Sequence, residues 1–277
     1  MTQTSFRFAM IDMYDGHENQ GKRSIETIVH EFAKSFNLDL TYDIFDTRGK
    51  GEIPDLSYDA YLSTGGPGSP LDSEGSHWEA KFFNFVEQLR AHNRSAAENK
   101  KPLFLICHSF QVFCRHYGLA RVGLRKSTSF GVFPIHKTSF GKEEPFFNNL
   151  PDPFWAADHR DYQVTKVDFE KMEEFGAKLL CREKIRPLVP LERAVMAVRF
   201  SDYIFGTQFH PEADPVGMLH YFSMPEKREQ IIEKYGEDKF EHMIAHLNVP
   251  GHLVLTRNTV LPSFLESALT YKMILQA

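Results

Sequence analysis

Between Phe6 and Cys107, short apolar runs alternate with longer segments whose apolar residues recur at helical spacing, and this alternation most constrains the fold. Phe6–Met13, Leu38–Phe45, Tyr58–Ser63 and Leu103–Cys107 read as strands. After the first strand, a polar loop over 14–21 leads into a helix in which Ile25, Ile28, Val29, Phe32 and Phe36 keep the i, i+3, i+4, i+7 rhythm. A second helix, about Ser76–His92, brings Trp78, Phe82, Phe85, Val86 and Leu89 onto one face. Strands and helices in this order need right-handed crossovers, so they predict a parallel sheet covered on both faces.

Beyond Tyr117 the rhythm changes. Short β-like runs occupy Thr128–Phe140, Phe154–Ala157, Lys178–Cys181, Ala194–Phe200 and Tyr203–Phe209. Helical patterns return over Pro225–Tyr235, Asp238–Leu247 and Pro262–Leu275. The 277 residues suit one large domain, or one domain with an appendage. The division expected here is an α/β domain over 1–213 and a helical C-terminal extension over 214–277. With 42% hydrophobic residues, including 25 Phe against 2 Trp, the chain can bury a core rich in phenylalanine.

The formal charge of -5 is spread along the chain, with no basic cluster of the kind that tracks a phosphate backbone. No apolar run approaches the ~20 residues that span a bilayer, and the first residues lack a signal-peptide core. The 3 cysteines make no disulfide framework. The expectation is a soluble cytoplasmic protein that binds neither nucleic acid nor membrane.

Three places carry chemistry. Cys107 stands where a buried strand ends and a helix, about His108–Tyr117, begins. Ligands of open α/β sheets bind at the carboxyl ends of strands, and a helix N-terminus favours a thiolate. A cysteine so placed can equally be a small buried hydrophobe. His210 and Glu212 are two apart at the end of another strand, so their side chains point the same way, and Pro211 keeps His210 out of the α region. Glu212 could then set the His210 tautomer; the plainer alternative is a surface ion pair. Gly65-Gly66-Pro67-Gly68, after the third strand, can turn backbone N–H groups towards a ligand or simply form a tight turn.

Together these motifs resemble the class I glutamine amidotransferases. That family has a Gly-Gly-Pro turn, a G-x-C-x-G-x-Q elbow and a Q-F-H-P-E segment. Here they stand as Gly65-Gly66-Pro67, Leu105-Ile106-Cys107-His108-Ser109-Phe110-Gln111 and Gln208-Phe209-His210-Pro211-Glu212. The resemblance covers roughly residues 6–213 and is nearest the GMP-synthase-like group, although no ATP-dependent synthetase domain fits in the chain. It implies a flavodoxin-like three-layer sandwich with a mostly parallel central sheet. It also implies a Cys107 nucleophile, a His210 general base oriented by Glu212, and an oxyanion hole from the N–H groups of Gly66 and His108. Gly65, Gln111, His159 and Asp161 would bind substrate, with Asp161 facing the ammonium group of glutamine. No cofactor and no metal are implied. The expected partners are glutamine or a γ-glutamyl compound, a separate synthetase receiving ammonia, and further copies of the chain.

Two positions depart from the family. Leu105 and Ser109 replace the elbow glycines, and Leu105 must find room beside a neighbouring strand or change the turn. An impaired enzyme that binds or regulates is therefore a second reading. Cys107-His108 also resembles the elbow of PfpI-type cysteine hydrolases, a reading that leaves the Gln-Phe-His-Pro-Glu segment unexplained. His159-Arg160-Asp161 is no kinase catalytic loop, because Lys166 replaces the required asparagine. His242 and His246 have metal-ligand spacing without a third ligand, and Cys114 and Cys181 are expected in the core. The C-terminal helices are expected at the rim of the site or in an oligomer contact.

Overall fold

A computed structural model describes residues 3–17, 19–97, 99–188, 190–249 and 251–274. The first half runs β1 (Thr4–Asp12), α1 (Gln20–Ser35), β2 (Leu38–Asp46), α2 (Thr47–Lys50), β3 (Ala60–Ser63), α3 (His77–Arg94), β4 (Leu103–Ile106) and α4 (His108–His116). Then follow β5 (Ala120–Lys137), α5 (Ser139–Lys142), β6 (Phe154–Val167), α6 (Phe169–Phe175), β7 (Lys178–Arg182), β8 (Val195–Ser201) and β9 (Ile204–Thr207). The chain closes with α7 (Pro215–Ser223), α8 (Pro225–Tyr235), α9 (Glu237–Leu247) and α10 (Leu253–Met273).

One sheet of 9 strands has the order β2-β1-β3-β4-β9-β8-β7-β5-β6. It is parallel from β2 to β9. From β9 to β6 it is antiparallel. Strand alternation sorts the apolar side chains between two layers. Phe6, Phe8, Met10, Leu62, Phe104 and Ile106 face α1 and α10. Ala9, Ile11, Tyr61, Leu103 and Leu105 face α3 and α4. This is the expected α/β sandwich with a parallel core.

The polar half of the sheet is longer than its sequence suggests. Phe154–Ala157 and the run from Thr128 as far as Lys137 are parts of a β5–β6 ribbon whose register slips between Leu124 and Ser129, while Ser139 and Phe140 of the expected run begin α5. Asp158-His159-Arg160-Asp161 looks too polar for a strand interior, yet Arg160 is buried against Asp158 at 2.9 Å and Glu183 at 3.5 Å. These ion pairs satisfy what the hydrophobic pattern cannot show.

The last helix also corrects the sequence reading. Pro262 does not open it but lies inside α10, and Leu275, its expected end, falls outside the described residues. An internal proline costs about 3 kcal/mol. Leu253, Val260, Leu261, Phe264 and Leu265 are buried on both sides of it, which outweighs that loss. Phe264 packs edge-on to Phe104 with centroids 5.3 Å apart, joining α10 to β4. Helices α7–α9 instead cover the β5–β6 ribbon through Phe222, Phe240, Met243 and Leu247. Phe264→Ala should cost about 3–5 kcal/mol of stability, measured by urea denaturation, because α10 completes one layer of the core.

Candidate active site

The end of β4 projects Cys107 into an unusual backbone conformation, φ 48 and ψ -94. Its N–H donates to the Thr207 carbonyl of β9 at 2.7 Å, and its carbonyl accepts from Gln111 N at 3.0 Å in the first turn of α4. A non-glycine residue held in this region costs about 1–3 kcal/mol and persists only where its surroundings over-determine it. The result aims Sγ away from the sheet axis, towards the strand-end loops.

There the described structure brings Cys107 and His210 together. Both side chains border the same glycine: a Cβ placed on Gly65 would lie 3.1 Å from His210 Cε1 and 3.5 Å from Cys107 Cβ. His210 Nδ1 meets Glu212 Oε1 at 2.7 Å. His210 N donates to the Ala157 carbonyl at 2.9 Å, which fixes the imidazole against β6. Burial alone would lower the His210 pKa, but the charges of Glu212 and Cys107 and hydrogen bonds to both raise it well above the ordinary imidazole value.

The glycine turn lies beside this pair. Thr64 Oγ1 accepts from Met13 N at 2.9 Å, joining the turn to the end of β1. Arg48 donates to the Met13 carbonyl at 3.2 Å and to the Pro67 carbonyl at 2.7 Å, clamping both segments. A side chain on Gly66 would overlap the Met13 carbonyl oxygen. Among the described residues, the N–H groups of Gly66 and His108 donate to no other backbone or side-chain group. The His108 ring is buried, and burial with the charges of Arg48 and Arg115 pushes its pKa down to about 3. The imidazole that borders Gly65 together with Cys107 is that of His210.

The remaining expected site residues flank the sulfur. Gln111 is buried and donates to the Tyr162 carbonyl at 3.2 Å and to Gln208 Oε1 at 3.0 Å. Gln208 in turn donates to Cys107 Sγ at 3.5 Å. The His159 carbonyl lies 3.9 Å from Sγ, while its ring meets the Tyr235 hydroxyl of α8 at 2.7 Å. One edge of that ring is solvent-exposed, yet packing around it and the charges of His210 and Lys234 lower its pKa to about 4. Asp161 shares the exposed side of β6 with His159 and accepts from the Thr128 hydroxyl.

Contacts from Tyr14, Arg48, Gln208 and Tyr235 are the parts sequence reasoning missed. Gln208 lies inside the quoted motif and was legible as a candidate. Among the described residues the Tyr14 hydroxyl and Glu212 Oε2 are both buried without a partner, and both residues crowd the place where Gly21 would carry a Cβ. Glu212 and Cys107 add to burial in raising the Tyr14 pKa. His242 and His246 instead join His252 and Trp155 in a row of packed rings, and no described group of His, Cys, Asp or Glu is arranged to hold a metal ion.

The sequence matches the model of the family described as glutamine amidotransferase class-I over residues 12–220. The chain belongs to that family. No curated protein matches it by sequence. Among solved structures it resembles a glutamine amidotransferase from Thermotoga maritima, with a TM-score of 0.67, 18% identity and coverage of 95% of this chain and 97% of that one. It also resembles a putative GMP synthase subunit from Thermoplasma acidophilum, with a TM-score of 0.55, 15% identity and 98% of each chain covered. The glutaminase domain of Trypanosoma brucei CTPS, solved with bound acivicin, matches with a TM-score of 0.55, 16% identity and coverage of 75% and 86%. At these identities the likeness is one of fold.

Against the amidotransferase pattern, the two elbow departures find a local explanation. Leu105 pairs across the sheet with Gly206 of β9. A Cβ on Gly206 would sit 2.8 Å from Phe110 and 3.0 Å from Phe200, so the missing side chain there makes room for Leu105 and these rings. Ser109 donates to the Ser63 carbonyl at 2.9 Å and accepts from Ile106 N at 3.0 Å. Gly66→Ala should displace the turn from β1 and cost about 1–3 kcal/mol, read as a lower midpoint in urea denaturation.

Proposed function

We propose that this amidotransferase hydrolyses the side-chain amide of glutamine, or of a γ-glutamyl compound, through a thioester on Cys107. The observation that carries this reading is the sulfur at a strained strand–helix junction, beside an imidazole that Glu212 orients. His210 takes the thiol proton, and Sγ attacks the amide carbon. The N–H groups of Gly66 and His108 receive the charge that develops on the carbonyl oxygen. The C–N bond then breaks as His210 returns the proton to nitrogen, releasing ammonia. Water attacks the thioester with His210 again as base, freeing glutamate and the thiol. Gly65 and Gln111 border the acyl group, and His159 and Asp161 offer contacts for its amino-acid end.

Supply of ammonia to a separate synthetase fits this chemistry, since the similar solved proteins include a CTPS glutaminase domain and a GMP synthase subunit. A cytoplasmic setting suits such a role, and no described helix is long and apolar enough to cross a membrane. A binding protein on the same fold is the competing account. The packing of Leu105 against Gly206 and the hydrogen bonds of Ser109 favour a working elbow.

Cys107→Ala should lower glutamine hydrolysis by about 10³-fold or more while leaving the fold intact, and diazo-oxo-norleucine should label Cys107 in the wild type. Equal glutamate release by both proteins, or a label mapped elsewhere, would sink the assignment. The raised His210 pKa makes a second prediction. Its folded value exceeds the unfolded ~6.5, so protonated His210 stabilises the fold in full below that pH and less as pH rises through the folded value. His210→Gln should therefore flatten the decline in urea stability from about pH 6 to pH 9; parallel declines in both proteins would contradict it.

A further inference from the structure

A cavity of about 350 Å³ lies between the β5–β6 ribbon, the loop after β7 and α9, and none of Cys107, His210 or Glu212 lines it. Its charged lining sets Arg125, Lys184, Arg186 and Lys239 against Asp158, Glu183 and Asp238. Glu183 is shared by Arg125 at 2.9 Å, Arg186 at 2.7 Å and Arg160 at 3.5 Å, so one carboxylate serves three guanidinium groups. Asp158, the other buried acid, is taken by Arg160 and by the Ser129 hydroxyl. Lys184 and Lys239 have no carboxylate within 4.0 Å among the described residues; Lys184 lies 4.7 Å over the Phe133 ring, and Lys239 donates to the Thr128 carbonyl. Asp238 is exposed at the rim.

Burial is the main cause that lowers the pKa of both Arg125 and Lys184; neighbouring guanidinium groups add to it, against the opposing pull of Glu183. Surplus positive charge facing a concave site attracts anions and is relieved when one binds. The opposing wall is apolar, from Phe130, Phe133, Ile135 and Met196. The volume suits a small metabolite rather than a macromolecule.

We infer that this cavity is a binding site, separate from Cys107, for a small organic anion whose carboxylate or phosphate group sits among Arg186, Lys184 and Lys239. The apolar wall would receive the rest of the molecule. Because Lys239 and His242 come from α9 and Arg125 from β5, the ligand would tie the C-terminal helices to the sheet.

Isothermal titration of the full chain with inorganic phosphate and, separately, with succinate at matched ionic strength tests the site. Saturable one-site binding of at least one anion is expected, and the anion preferred tells a phosphoryl ligand from a carboxylate. Lys184→Met with Arg186→Gln should weaken binding about tenfold or more, with the circular dichroism spectrum retained. If that variant does not fold, acetic anhydride labelling of Lys184 in the wild type, read by mass spectrometry, should slow in the saturating anion. Failure of both anions to bind saturably, affinity unchanged in the folded variant, or Lys184 labelling unaffected by the anion would each overturn the assignment. All these readouts are independent of glutamine hydrolysis, so they stand or fall apart from the Cys107 chemistry.

Discussion

The backbone of Cys107 is the constraint around which the site is built. A positive φ at a non-glycine residue turns the chain sharply from β4 into α4 and lifts the sulfur off the sheet. Such a conformation needs external support, and it comes from both flanking strands. β9 accepts the Cys107 N–H through Thr207, while the end of β3 accepts the Ser109 hydroxyl through Ser63. Neither strand alone would fix the turn, because each holds a different side of it. The parallel order β3-β4-β9 is therefore a requirement of the site as well as of the core.

The departures from the family elbow follow the same logic. Glycine at the Leu105 position would leave space between β4 and the layer of α4, and here Leu105 fills it while Gly206, its partner on β9, supplies the missing volume. A dense core accepts a large side chain where a neighbour leaves room for it, as Gly206 does here. Ser109 is small enough for the tight turn, and its hydroxyl finds partners in a place where an unpaired one would be costly. Two substitutions that look damaging along the chain are local solutions when seen across it.

What the sequence made legible follows from how each element is stabilised. The β1 to α4 region announces itself because its apolar residues repeat with the period of the element that buries them. The β5–β6 ribbon does not, since Asp158 and Arg160 occupy buried strand positions through ion pairs that only tertiary structure supplies. The internal Pro262 misled for a related reason, as local propensity yielded to packing on both sides of it. Cys107, His210 and Glu212 could be placed near one another because the two strands they follow, β4 and β9, run parallel as neighbours. Arg48 and Tyr14 could not, because a single four-residue turn of helix, α2, delivers the one and the loop after β1 the other, and neither is long enough to carry a period.

β6 connects these levels most directly. Its Ala157 carbonyl holds His210, its His159 carbonyl faces the sulfur, and its Tyr162 carbonyl accepts from Gln111. The same strand meets Tyr235 of α8 through the His159 ring. Three backbone carbonyls in one short stretch thus touch the groups proposed for chemistry, while side chains of that stretch touch the C-terminal helices. A strand is stiff along its length, so a shift of α8 that moves His159 must also move the atoms against Cys107 and His210. The C-terminal helices thus contact the strand that borders the site, although none of their described residues is proposed as a reacting group.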